Sequence, residues 1–483
     1  MSDGLSQSIF CWLYALPDAY DECHPVPAPS PPSSSRPRKR KAQHQHQHRH
    51  QPPTPPISLP EMDKEADVTP TRKRQRIVDA GPDADADANA DTDQTPRPTI
   101  RSGRTSASAS ASLSAASSAS ASSSRSGSPK KQLMNLRIQE SGIEFRTLDA
   151  APNDQAARLL DNLRQVGRGL AILPHDERQR ILQDEAIDAR EWAFSFKPAG
   201  EVDALPGRIP SPDVVAVVRR RAKKCHESGH EEAAWNTEVH FRLLEAILRD
   251  PKTDKAGPLD FTTCTSARPH PRYLPRSIQA KMVDMCLYAN LENDEGAMAA
   301  QRALCRQTPT SSVNHTDFAP LQLSPIVLSI ETKKSGRDLD TAQLQMGIWH
   351  AAQWSFLRSA LLLSLQARQA QSQSTPDNDE QAPSAAQILQ QQQAHERQAD
   401  EALARLAFLP GVIVHGHKWM LVLSTRERLK TVLWVEQQFG STHRVLETYQ
   451  VIAGLRELAA WGRDTYVPWF RDNILAGHGL EGT

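Results

Sequence analysis

The 483-residue chain has six cysteines, Cys11, Cys23, Cys225, Cys264, Cys286 and Cys305, and no CxxC pair. That argues against a zinc ribbon and for a reducing compartment. Hydrophobic residues make up only 38% of the chain while proline reaches 35 residues, so part of it is unable to bury a core of its own. Lys plus Arg and Asp plus Glu both total 57, and the formal charge of zero gives no global preference for nucleic acid. The distribution of charge therefore matters more than its sum. Long apolar runs are also missing. The stretch Ile9 to Leu16 is too short to span a bilayer and follows Asp3 rather than a basic segment. Neither a signal peptide nor a transmembrane helix is expected, and no membrane partner.

What is present divides the chain. Residues 1–24 form a short segment in which Ile9, Trp12, Leu13 and Leu16 share one helical face, as in a partner-docking helix or an unremarkable frayed one. Residues 25–131 have the composition of a disordered, low-complexity region: Pro/Ser clusters, Gln/His alternation from His44 to His50, an Asp-Ala run from Asp83 to Asp93, and a Ser/Ala tract from Ser106 to Ser124. Two basic clusters lie inside it, Arg36-Pro37-Arg38-Lys39-Arg40-Lys41 and Arg72-Lys73-Arg74-Gln75-Arg76. Each resembles a nuclear import signal, which makes an import receptor an expected partner and the nucleus the expected location.

Residues 132–475 are expected to fold as one domain, with a Gln-rich insert at 366–400 projecting away from the core and a tail at 476–483. The spacing predicts an amphipathic helix from Glu231 to Leu248, ended by Asp250-Pro251. Strands are expected at Leu259 to Thr265, Lys281 to Asn290 and Pro325 to Lys333. A long helix begins beside Asp338 and runs through Leu365. Strands at Gly411 to His415 and Lys418 to Thr425 flank a tight turn at Gly416, another follows from Thr431 to Gln437, and Val445 to Trp461 closes the domain as a helix. This order describes an α/β fold on a central mixed β-sheet flanked by helices.

The chemistry gathers where Glu331-Thr332-Lys333 ends the apolar run Ser324 to Ile330, with Asp284 embedded in Lys281-Met282-Val283-Asp284-Met285-Cys286-Leu287. Strand alternation points Glu331 and Lys333 one way and Ile330 and Thr332 the other. Asp284 and Glu331 are hard oxygen ligands suited to Mg²⁺ or Mn²⁺, and the carbonyl of Thr332 completes the shell. Lys333 can orient an attacking water, or help deprotonate it if its pKa is lowered. Such a set supports metal-dependent phosphodiester hydrolysis.

These residues, with Asn236-Thr237-Glu238-Val239-His240, Gln343-Leu344-Gln345-Met346-Gly347-Ile348-Trp349, Leu409-Pro410-Gly411, Gly416-His417-Lys418-Trp419 and Tyr466-Val467-Pro468-Trp469, resemble the PD-(D/E)XK nuclease superfamily, most closely its predominantly fungal nuclease-like branch. The resemblance implies a restriction-endonuclease-like core, with Asp284, Glu331 and Lys333 at catalytic positions. It also implies Glu238 as an additional acidic metal ligand, and Gln345 facing the active site. Val283 stands where the superfamily name has proline, and the segment from Leu291 to Gln322 separates the two acids.

The expected function is a Mg²⁺- or Mn²⁺-dependent nuclease acting on DNA. The alternative is a catalytically inactive nucleic-acid-binding or scaffolding protein on the same fold. A third reading makes the tail the working part of a chromatin or transcription adaptor. His415-Gly416-His417 lacks a third ligand at zinc spacing and is expected to be structural. Trp419, Trp434, Trp461 and Trp469 are expected in the core rather than as base-stacking platforms.

Overall fold

The computed structural model describes residues 128–479, apart from 184–187, 277, 337 and 373–383. The expected docking helix, Gln/His tract and basic clusters lie outside the described residues. Helix α1 (Pro129–Ile138) leads into strand β1 (Ile143–Thr147), and α2 (Asp154–Gly167) and α3 (Pro212–Glu227) follow. Helix α4 is built in three parts: Glu232–Trp235, a π-helical turn Asn236–His240, and Phe241–Leu248. Strands β2 (Leu259–Thr263) and β3 (Met285–Ala289), helix α5 (Glu295–Cys305) and strand β4 (Ile326–Lys333) come next. The long α6 (Leu339–Ser372) and α7 (Ala385–Ala404) precede β5 (Leu409–His415), β6 (Lys418–Glu427) and β7 (Lys430–Ser441). Helices α8 (Val445–Trp461) and α9 (Val467–Asn473) close the chain.

The seven strands form one mixed sheet in the order β1-β7-β6-β5-β4-β3-β2. Pairings β1·β7 and β4·β5 are parallel and the other four antiparallel. Strand β4 is buried along nearly its whole length, as a continuous apolar run in a sheet covered on both faces should be. The alternation in β5 shows the two faces. Val412 and Val414 join the cluster holding Val239, Leu243, Ile452 and Leu455 of α4 and α8. Ile413 joins Met346 and Trp349 of α6 on the other side.

Two glycines bring α8 close to the sheet. A Cβ at Gly454 would sit 2.3 Å from the Phe439 ring, and one at Gly440 would sit 2.6 Å from the Val451 backbone nitrogen. The Gly416-His417 turn joins β5 to β6, with Gly416 at φ +58° as the first central position of a II′-type hairpin turn requires. Its N–H donates to Lys333 O at 2.8 Å and so ties the turn to the end of β4.

The Gln-rich insert departs from expectation in part. Helix α6 runs on to Ser372, and the C-terminal half of α7 returns to the domain. Ala399, Ala402 and Leu403 bury against Trp354, Leu357 and Trp469, so this half packs rather than projects.

Candidate active site

Glu331, Thr332 and Lys333 sit at the C-terminal end of β4, and Asp284 lies across from them in the run into β3. The register pairs Met285 with Ile330, which sets Asp284 opposite Glu331. Its backbone is held on both sides: the N–H donates to Ile330 O at 3.1 Å and the carbonyl accepts from Cys264 N–H at 2.7 Å.

The Asp284 side chain is only 8% exposed, and its burial requires partners. Oδ2 accepts from Thr332 N–H at 2.7 Å, and Oδ1 accepts from Asn236 Nδ2 at 3.0 Å. The Thr332 hydroxyl lies 2.9 Å from Asp284 Oδ2 and 2.8 Å from Asn236 Oδ1, so its single proton is shared between them. His240 Nδ1 is 3.0 Å from the same Asn236 oxygen. Asn236 reaches this position at the start of the π turn, a distortion that is frequent at functional sites.

Glu331 is 1% exposed. Burial, then the charge of Asp284, push its carboxyl well above the usual range, against the opposing pull of Lys333. Lys333 Nζ stands 2.7 Å from Glu331 Oε1, yet neither buried Glu331 oxygen accepts an aligned hydrogen bond. The ammonium instead donates to Thr332 O at 2.9 Å and to the Glu232 oxygens at 3.1 and 3.3 Å. Burial pulls Lys333 down, but Glu331 and Glu232 outweigh it, and its pKa is raised. The expected route to a lysine base, a lowered pKa, is therefore not what this geometry provides. Lys333 is held as a cation among three carboxylates.

The structure brings together Asp284, Glu331, Thr332 and Lys333. Glu238 is elsewhere, its carboxylate ion-paired with Arg221 of α3. Gln345 is half-buried on α6, and its Nε2 lies 3.4 Å from Met282 O, on the segment that leads into Asp284. Two site residues were not anticipated, Glu232 and Asn236. With His240 they are spaced i, i+4, i+8 along α4, a polar stripe aimed at the end of β4. Burial, then Asp284, raise the Glu232 carboxyl as well.

Superfamily nucleases generally use divalent metal ions. Among the described residues, no group of three or more His, Cys, Asp or Glu side chains is arranged to hold one. The donor set here is smaller but of the right kind: two opposed carboxylates and a main-chain carbonyl, all hard oxygens. Mg²⁺ and Mn²⁺ are commonly held by one or two carboxylates with water filling the rest. The buried Glu331 oxygens, which accept no aligned hydrogen bond and have only the Lys333 ammonium beside Oε1, are the groups such an ion would satisfy.

His417, of the His-Gly-His sequence, is buried in the β5–β6 turn. Its Nδ1 is 2.8 Å from Thr442 Oγ1, and its ring stacks 3.9 Å from His443 and meets Trp235 edge-on at 5.1 Å. Trp419 and Trp469 are buried and Trp434 and Trp461 partly so.

No curated protein and no solved structure matches the chain significantly. Residues 177–467, which span α4, β2 to β7, α8 and the residues of the site, match the PD-(D/E)XK nuclease superfamily. On that match, over more than half its length, the chain belongs to the PD-(D/E)XK nuclease superfamily.

Proposed function

We propose that this protein is a nuclear, Mg²⁺- or Mn²⁺-dependent nuclease that hydrolyses phosphodiester bonds in DNA. The observation that carries the reading is the pairing of Asp284 with Glu331 across β3 and β4, with Glu331 Oε1 and Oε2 buried and accepting no hydrogen bond. Asp284, Glu331 and the Thr332 carbonyl would hold the ion, which would supply charge neutralisation at the phosphate and a more acidic water. Lys333, kept charged by its neighbours, offsets charge developing on the phosphate and orients the attacking water. Asn236 and the Thr332 N–H fix the Asp284 carboxylate in place. Glu232 holds Lys333 from the helix side, while Gln345 supports the segment before Asp284. Glu238 takes part only if Arg221 releases it. Nuclear entry rests on the two basic clusters and an import receptor that reads them.

The test is a cleavage assay on the full chain with single- and double-stranded DNA and RNA, in Mg²⁺, in Mn²⁺ and in chelator. Cleavage that requires the ion and disappears in Glu331→Gln supports the proposal. Absence of both cleavage and metal binding rejects it in favour of the non-catalytic nucleic-acid-binding or scaffolding reading. One observation favours that second reading: Asp284 already takes three donor groups from the protein, a satisfied network that a structural role would keep.

A further inference from the structure

A cleft of about 1070 Å³ opens on the α6 side of the sheet, walled by Pro271 to Arg276 with Ile278 and Gln279, by α6 residues between Ala351 and Leu362, and by Arg426, Leu429 and Thr431 of the β6–β7 hairpin. Four arginines line it, Arg272, Arg276, Arg358 and Arg426, and no acidic residue does. Arg358 is neutralised by a two-pronged pair with Asp400, at 2.7 and 3.1 Å. The other three make no ion pair among the described residues. Arg426 is the telling one. It is largely enclosed, its Nε is spent on Arg428 O at 2.8 Å, and burial holds its guanidinium below the ordinary range despite the nearby Asp400. A desolvated cation with no acid in direct contact is costly, and an anion that meets it lowers that cost. Ser141, Ser355, Ser359 and Thr431 add hydroxyls to the same walls.

The cleft is not the acid site. Lys333 is in register with His415, and His415 with Lys418, at one end of β6, whereas Arg426 lies at the other end, paired with Thr431. Along β6, eight residues separate Lys418 from Arg426, about 27 Å.

We propose that this cleft binds a small phosphorylated molecule, its phosphates held by Arg272, Arg276 and Arg426 and its body lying on Ile278, Leu362 and Leu429. Arginine forks match phosphate oxygens in pairs. The volume suits a ligand of nucleotide size rather than a lone ion. The proposal does not depend on the nuclease reading.

The test is calorimetric titration of the full chain, in chelator, with sodium tripolyphosphate, with ATP and with a short single-stranded oligodeoxynucleotide. Tripolyphosphate and ATP should bind with an affinity that falls as salt rises. Arg272→Ala and Arg276→Ala, both at exposed positions that leave the fold intact, should each weaken that binding about tenfold, the equivalent of one charge-assisted contact. Arg426→Lys should weaken it further while melting normally. Binding unchanged in all three variants, or no binding of either small phosphate, overturns the proposal. So does an oligonucleotide that uses these arginines when tripolyphosphate and ATP do not, because the cleft would then be a strand-binding surface. Cleavage activity is not a readout here, so the two proposals fail separately.

Discussion

Thr332 meets Asp284 twice at one oxygen, its backbone N–H 2.7 Å and its hydroxyl 2.9 Å from Oδ2. The first contact uses the Thr332 backbone N–H, which a change of the Thr332 side chain leaves in place. The hydroxyl contact, shared with Asn236, belongs to the side chain. Thr332→Val keeps the shape and removes only the second. It should destabilise the domain by about 1–3 kcal/mol, the usual penalty for a buried polar group left short of a partner. Urea denaturation in chelator would measure it, and an unchanged midpoint would show the network to be dispensable.

Glu331→Gln should also destabilise the metal-free domain. The carboxylate is 1% exposed and stands 2.7 Å from Lys333 Nζ, so a neutral isostere relieves a buried charge but takes one partner from Lys333, which keeps Glu232. The loss should be smaller than the roughly 3–5 kcal/mol of a buried charge left with no partner. Mg²⁺ should raise the melting temperature of the native protein and leave that of the variant unchanged, as scanning fluorimetry would report.

Lys333→Ala separates positioning from metal holding. Cleavage should fall roughly 10²- to 10⁴-fold, while Mn²⁺ affinity by calorimetry stays close to native. Equal loss of both would mean that Lys333 holds the acids in place rather than serving the water.

Stability should fall on the acid side because of buried histidines. Burial, then the facing His443 and His226, push His417 down to about 4, and burial alone or chiefly pushes His240, His315 and His350 to about 3. Each is neutral when folded and takes up a proton on unfolding at any pH between its folded value and about 6.5. The unfolded chain binds more protons there, so stability is complete above about pH 6.5 and is lost as the pH falls toward 4. His417→Asn should flatten part of that slope in melts collected from pH 7 to 4.5. A slope identical to native would remove His417 from the account.

Gly454→Ala tests the contact of α8 with β7. The new methyl would lie 2.3 Å from a ring atom of Phe439, which is fully buried and has no room to retreat. A loss of about 1–3 kcal/mol is expected. Pairing it with Phe439→Leu should recover part of the loss if the clash is the cause.

Much of this could be read from the residues. β4 was legible because a short, β-branched apolar run bounded by Pro325 suits a strand covered on both faces, and α8 because apolar residues recur at helical spacing from Val445 to Trp461. Strand alternation put Glu331 beside Lys333, while the placing of Asp284 with them came from the order of the elements and the family resemblance. The first quarter of the folded region did not yield. Strand β1 has five residues, and its one partner, β7, is remote in sequence, so nothing local marks it. Helix α2 did carry signals, an Asn153 cap to Ala156 and buried Leu159, Leu160, Leu163 and Val166 at helical spacing. The acid on α4 was misplaced for a definite reason. A π turn inserts one residue and rotates the next helical turns by about 100°. Glu238 lies within that turn and swings to Arg221, while Glu232 precedes it and reaches Lys333.

The pairing of β1 with β7 also sets a timetable for synthesis. Arg146 of β1 bonds Glu427 at the end of β6, 281 positions later, so at roughly 5–20 residues per second the ribosome takes ~15–60 s to deliver that partner. The meander β2-β3-β4, with both acids, is finished well before then. Until β7 emerges, β1 has no strand of this sheet to pair with, and a truncation upstream of Lys430 leaves both its sides unpaired, an invitation to pair with another chain.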